Sequence, residues 1–492
     1  MVGRKSYWKL ILASGLLITV FAFFALQDQV SLAEDVQLTP TTTATPVMNA
    51  QEAIETANKA IALDPKDEQA YVKRGDAFYS LGKLNEAFAD YSQAIALNPK
   101  DAYAYYRRGS NLYYQGKIDE AINDYTEAIR LDPNYADAYY SRALTLINQS
   151  KFEQAILDFT QTIQLKPFAE AYYSRGLTFY YLNKFDEAIA DYTQAIALNP
   201  QYTYAYFNRA LALYAQSKFD EAIMDYTQAI AIDPEDSRPY TARGNALLAQ
   251  NKLDEAVADY TQAINLDPYD SDAFYGRGFV FYSQNKINEA ITDYTEVIEL
   301  DPENSNAYIN RGLALAKLGK YDEAVADYTH VIEVDPENSN AYINRALALL
   351  YLEKFKEAAE DYTKVINLDP NNAVAYNGRG IALAKQGELE AAIADYDKAI
   401  SLKPDYAEVY HNRGVAFERQ SQLDKAIINY KEAIRLNDQY TDAYWGIGNV
   451  YYKQKLYTLA RIAYWRYIQL ADDQADPSIV ELVKELESST NS

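Results

Sequence analysis

The chain has 492 residues, 49% of them hydrophobic and 24% charged, which is ample apolar material for a packed core. Its 70 acidic side chains outnumber 46 basic ones, and the formal net charge of -24 repels phosphate backbones, excluding nucleic acid as the main partner. With no cysteine and only two histidines, His330 and His411, disulfides, thiolate metal sites and a cysteine nucleophile are excluded, and little is left for a histidine metal site or a catalytic triad.

At the N-terminus, Arg4, Lys5 and Lys9 precede an uncharged run, LILASGLLITVFAFFAL (10 to 26). VSLAED (30 to 35) follows, with Ser31 and Ala33 as the small residues of a cleavage site. Residues 1–33 are expected to be a signal peptide or a retained signal anchor, a single transmembrane helix through 10–26. Basic residues before the run and acidic ones after it place the remainder outside the cytoplasm, in a periplasm, a lumen or at the cell surface. Residues 34–49, which contain LTPTTTATPV, are expected to be a Thr/Pro-rich linker.

From residue 50 one pattern takes over. Asp64-Pro65, Asn98-Pro99, Asp132-Pro133 and their successors through Lys403-Pro404 recur every 34 residues, except for one 33-residue interval between Pro167 and Pro200. Within 303 to 336, Tyr308, Arg311, Gly312 and Leu315 fall on one helical stripe, and Ala324, Asp327, Tyr328 and Val331 fall on a second. LGKYDEA carries the turn between them, with Gly319 available for a left-handed residue and Asp322 and Glu323 suited to a helix start. Pro336 closes the unit, since the second helix cannot continue through it.

With small residues at Gly312 and Ala324, an aromatic at Tyr328 and a closing Pro336 all in register, the array resembles the tetratricopeptide repeat family over about residues 50 to 470. The resemblance implies an all-α solenoid, a right-handed superhelix of stacked antiparallel helix pairs with the first helix of each pair lining the concave side. Each pair has apolar residues that it cannot bury alone, so neighbours must stack. The expected order is a half-repeat capping helix (50–67), eleven repeats (68–438), a degenerate twelfth (439–471), then a C-terminal capping helix and tail (472–492).

A charge sits inside the first stripe of every regular repeat: Arg74, Arg108, Arg142, Arg175, Arg209, Arg243, Arg277, Arg311, Arg345, Arg379 and Arg413. Sixteen residues later ten repeats carry an aspartate, including Asp124, Asp327 and Asp361, and the eleventh carries Asn429. The twelfth repeat loses both, with Ile447 and Ala463. The turn lies midway between the two positions, so antiparallel folding sets them opposite each other and predicts a structural ladder of partly buried pairs, Arg108 with Asp124, Arg311 with Asp327, Arg345 with Asp361.

Two positions on the first helix are expected to face the groove. The residue after the repeat's first tyrosine gives Tyr106, Tyr140, Tyr173, Phe207, Tyr275, Ile309 and His411; seven residues on come Tyr113, Tyr180, Tyr214 and Tyr282. Tyrosine combines contact area with a hydroxyl at low entropic cost, which suits a recognition surface. The cationic residues with which some family members grip acidic chaperone tails are missing here. Another branch lines its superhelix with asparagines just before the arginine position; Asn208, Asn310, Asn344 and Asn412 match that place, while Ser141, Ser174, Ala242, Gly276 and Gly378 interrupt it.

No Gly-rich phosphate loop, serine elbow or histidine-pair helix occurs, and the repeat accounts for every residue from 50 to 470, so neither an enzyme nor a cofactor is expected. His330 is expected to face solvent. The sequence points to a non-enzymatic scaffold that binds a protein or peptide in an aromatic-rich groove, with a carbohydrate-binding solenoid that assists polysaccharide export or assembly as the alternative. It does not name the partner or the oligomeric state.

Overall fold

A computed structural model describes residues 47–490, so the expected export segment and most of the linker lie outside the described residues. Among the described residues there are 26 α-helices, one short 3-10 turn (Asp472–Gln474) and no strand. The helices gather into two compact units, one running through Ala273 and the other from Phe274 onward.

Local chemistry defines each helix pair. In the eighth repeat the leading helix Ser305–Lys317 starts at Asn304, whose side chain accepts a hydrogen bond from the Ala307 amide at 3.1 Å. The trailing helix Tyr321–Val334 has Asp322 and Glu323 in its first turn, where the helix dipole favours negative charge. It stops at Asp335, whose carboxylate accepts from the Glu337 amide at 3.0 Å across Pro336. Between the helices Gly319 takes a left-handed conformation with φ 79°. The same turn position is left-handed in every pair, yet eight of the twelve use another residue, among them Ser217, Asn285, Glu353 and Lys455.

Close approach holds the pair together. A Cβ placed on Gly312 would lie 2.7 Å from the Tyr328 ring, so the aromatic of the trailing helix sits directly on the backbone of the leading one. Ala324 and Tyr328 are completely buried, as are their counterparts along the array. Within each unit, trailing helices pack on the next leading helix, and leading helices also touch one another while trailing helices stay apart. The leading helices therefore form the inner layer and the trailing helices the outer one.

One boundary differs from the sequence expectation. The first helix begins at Val47, inside the expected linker, and its Ala50 and Ile54 pack on Ala77 of the first repeat. The twelfth repeat keeps both helices, Thr441–Lys453 and Tyr457–Ala471, because Ala460, Tyr464 and Tyr467 preserve the buried positions although the arginine and aspartate are gone. The terminal helix Pro477–Thr490 starts where the Asp476 carboxylate accepts from the Ser478 amide at 2.9 Å, and buries Ile479 and Val483 against Tyr451 and Tyr467.

Candidate partner-binding surface

The ladder is present as ten fork-shaped ion pairs, each within one repeat. Arginine Nε meets aspartate Oδ2 at 2.7–3.0 Å, and Nη2 meets Oδ1 at 2.7–2.8 Å, from Arg74 and Asp90 through Arg108 and Asp124, Arg311 and Asp327, Arg345 and Asp361, to Arg379 and Asp395. The carboxylates are buried and the arginine side chains half-buried. Each arginine also lies 5.4–5.8 Å over the ring three residues earlier, as Arg311 does over Tyr308. Hydrogen bonds that it donates to the Asp327 carboxylate hold the Arg311 guanidinium above its ordinary pKa, whereas burial pushes the Asp191 and Asp293 carboxyls up despite their arginines. Attraction and desolvation thus oppose each other, and the pairs secure register more than net stability.

A third contact, which the sixteen-residue spacing does not reveal, extends the ladder between repeats. Arginine Nη1 donates at 2.9–3.3 Å to a threonine on the preceding trailing helix: Arg142 to Thr126, Arg175 to Thr160, Arg209 to Thr193, Arg243 to Thr227, Arg311 to Thr295, Arg345 to Thr329 and Arg379 to Thr363. Each arginine therefore clamps three helices. The legible signal is the recurrent Asp-Tyr-Thr triplet, as at 327–329: the aspartate serves its own arginine, the tyrosine fills the core, and the threonine serves the next arginine. In the eleventh repeat Arg413 bonds the neutral Asn429, and its carboxylate partner is Asp397, standing in the threonine position. The negative charge has moved across the guanidinium without being lost.

The first set of groove candidates packs largely between helices, and for Tyr173, Phe207 and Ile309, which are buried, this corrects the sequence expectation. Tyr106, Tyr140, Tyr173, Phe207, Tyr275 and His411 turn between helices, with ring centroids 5.7–6.0 Å from the trailing aromatic of their own repeat. Tyr106, Tyr140, Tyr173 and His411 also meet the ring that opens the next repeat at 5.0–5.2 Å. Tyr173, Phe207 and Ile309 are buried. Burial raises the Tyr140 and Tyr275 hydroxyls to about 12 and lowers the His411 imidazole. His330, expected to face solvent, is half-buried and stacks on Tyr308 at 4.1 Å.

The asparagine row closes the same interface. Asn208 Nδ2 donates to the Tyr173 hydroxyl at 3.1 Å, Asn310 to that of Tyr275 at 2.7 Å, and Asn412 to Asn377 Oδ1 at 3.0 Å. Asn344 is buried with its Nδ2 unpartnered, because Ile309 stands where those repeats offer a ring hydroxyl or an amide oxygen. Gly378 interrupts the row because a Cβ there would strike the Tyr362 ring of the preceding repeat. Arg107, one residue before Arg108, is buried against Asp76 with Nε to Oδ1 at 2.7 Å and lies 4.8 Å over Tyr79. Asp76 also accepts from the Tyr91 and Tyr103 hydroxyls at 2.8 and 3.0 Å, so this cation is already neutralised. An aspartate where other repeats have Leu144, Leu177 and Leu211 is its sequence signal.

The second set stays accessible. Tyr79, Tyr113, Tyr180, Tyr214 and Tyr282 are half-buried on the inner layer, and Tyr114 is exposed beside them. Tyr79 and Tyr113 meet Tyr114 edge-on at 5.8 and 5.7 Å, and Tyr180 meets Tyr181 edge-on at 6.2 Å. The Tyr113 hydroxyl accepts from Asn148 at 3.0 Å, and the Lys317 ammonium sits 4.8 Å over Tyr282. Among the described residues no group of three His, Cys, Asp or Glu side chains is placed to hold a metal ion, and no helix is long and apolar enough to cross a membrane.

Paired helices, the buried ladder and the closing prolines define a repeat solenoid with half-buried rings on its inner layer. The model of the family described as TPR repeat matches residues 75–110, 109–150, 244–285, 280–319, 346–387, 382–421 and 419–455, and models described as tetratricopeptide repeat match 136–168, 173–237, 225–258 and 305–338. The chain belongs to the tetratricopeptide repeat family and is a protein-interaction scaffold. Similar solved structures include YrrB, described as a TPR protein with an unusual peptide-binding site (28% identity, 38% of this chain and 96% of that one, TM-score 0.36). Others are yeast Tom70 (17% identity, 87% and 97%, TM-score 0.39) and the C-terminal part of a TPR repeat-containing protein from Cytophaga hutchinsonii (19% identity, 49% and 99%, TM-score 0.43). No curated protein sequence matches the chain.

Proposed function

We propose that the inner layer of the first five repeats binds an extended segment of a partner protein outside the cytoplasm, without catalysing a reaction on it. The half-exposed tyrosines Tyr79, Tyr113, Tyr180 and Tyr214, on the leading helices of the first, second, fourth and fifth repeats of one compact unit, carry this reading. Rigid rings with a polar tip give a peptide both apolar contact and hydrogen bonds. Their edge-on packing favours a peptide over the carbohydrate alternative, because a sugar stacks on open ring faces. The location and the tether to a membrane rest on the basic and apolar pattern of residues 4–26.

The test places a photo-crosslinker at Tyr113 or Tyr214 on the inner layer and, as a control, at Met224 on the outer one. Partners should be captured from the inner positions alone and lost when Tyr79, Tyr113, Tyr180 and Tyr214 are changed to alanine. Equal capture from Met224, or an unchanged partner list in the alanine variant, refutes the groove.

A further inference from the structure

The twelfth repeat differs from the others on its outward side. Between residues 443 and 471 there is no aspartate or glutamate, although the chain has 70 acidic residues, and Lys453, Lys455, Arg461 and Arg466 fall in that stretch. Where earlier trailing helices expose acid pairs such as Asp322 and Glu323, the helix Tyr457–Ala471 exposes Thr458 and Leu459. Ile462 (57% exposed) and Trp465 (52%) continue the strip along the same helix, with Leu456 and Tyr457 exposed at its start. The terminal helix Pro477–Thr490 leaves this side uncovered, since it packs through Ile479 and Val483 on the other. Lys453 is paired with Glu418, and Arg461 lies 3.6 Å from Glu487, but Arg466 reaches only the neutral Gln469.

We propose that this outward strip docks on an anionic lipid surface. The charge of the strip is opposite to that of the chain around it and complementary to anionic headgroups. Tryptophan and tyrosine beside leucine, isoleucine and arginine is the composition that settles at a membrane interface. The strip stands on the outer layer and offers no groove of backbone or amide partners, so a deformable lipid surface fits it better than an acidic peptide. This docking is independent of the peptide-binding reading and uses none of its residues.

The test follows Trp465 fluorescence in the full chain with Trp8 and Trp445 changed to phenylalanine, in vesicles whose acyl chains carry bromine as a quencher. A phosphatidylglycerol-containing membrane should quench Trp465, whereas a purely phosphatidylcholine membrane or high salt should not, whatever the N-terminal segment does. Ile462→Asp should abolish the quenching, and Lys455→Gln with Arg466→Gln should raise the phosphatidylglycerol content needed for half-quenching several-fold, since each basic residue near the surface is worth roughly fivefold. Helix content and thermal unfolding of the variants should match those of the parent. Unquenched Trp465 in the anionic membrane, or quenching indifferent to lipid charge and to these substitutions, overturns the proposal. So does shielding of Trp465 in lipid-free solution that grows with protein concentration as the sedimenting mass doubles, which would make a second copy the occupant.

Discussion

Asp327→Asn isolates what the ladder contributes. The substitution keeps the shape and one acceptor oxygen but removes the carboxylate that receives Arg311 Nε at 3.0 Å and Nη2 at 2.7 Å. Breaking a dry ion pair costs roughly 3–5 kcal/mol; the Arg311 side chain keeps 20% of its surface exposed, so water relieves part of that and about 2–3 kcal/mol is expected. Arg413 shows how the loss is compensated, with Asn429 on one side and Asp397 on the other. Adding Thr295→Asp to Asp327→Asn rebuilds that arrangement around Arg311 and should recover about 1–2 kcal/mol, a partial rescue because Asp397 itself is 57% exposed. Urea unfolding followed by helical circular dichroism reads the sum, and amide exchange in repeats seven to nine localises it, since a solenoid loses stability locally. If the double variant equals the sum of the single effects to within about 0.5 kcal/mol, the arginine does not couple its two neighbours and the three-helix clamp is wrong.

Gly378→Ala should destabilise by about 1–3 kcal/mol, because the added methyl must displace the buried Tyr362 ring; an unchanged denaturation midpoint would show that the interface is loosely packed. Glu353→Gly should stabilise by about 1 kcal/mol, since Glu353 holds φ 58° at the place where the preceding repeat has Gly319; a lower midpoint would mean that the glutamate earns its place through contacts. Burial raises Tyr192, Tyr260, Tyr294 and Tyr328 well above the ordinary tyrosine value of 10.0. Their raised values contribute stability that is complete below that pH and lost as pH rises beyond it, because the unfolded chain then releases protons that the folded chain keeps. The share of tyrosinate absorbance from these buried rings should therefore appear together with helix loss in one cooperative alkaline transition, and ionisation of these tyrosines with the helices intact would contradict their burial.

The periodic content of the chain was legible without coordinates. Helix pairs follow from the 34-residue spacing of Asp-Pro and Asn-Pro, since proline ends one helix while the acid or amide caps the turn. The partnership of Arg311 with Asp327 follows from their equal distance from the turn, because a hairpin's own connectivity fixes which residues meet. What passes between repeats was not legible in that way. Tyr173 and Tyr113 are both tyrosines on leading helices, yet one is sealed against Tyr192 and Tyr202 while the other keeps an open edge. Only the stacking of the next helix pair decides this. For the same reason Asn310 donates to Tyr275 while Asn344, with the same neighbours in sequence, has no partner for its amide nitrogen. Local periodicity is written into each repeat, whereas burial at the faces between repeats depends on the residue that the preceding repeat happens to place opposite.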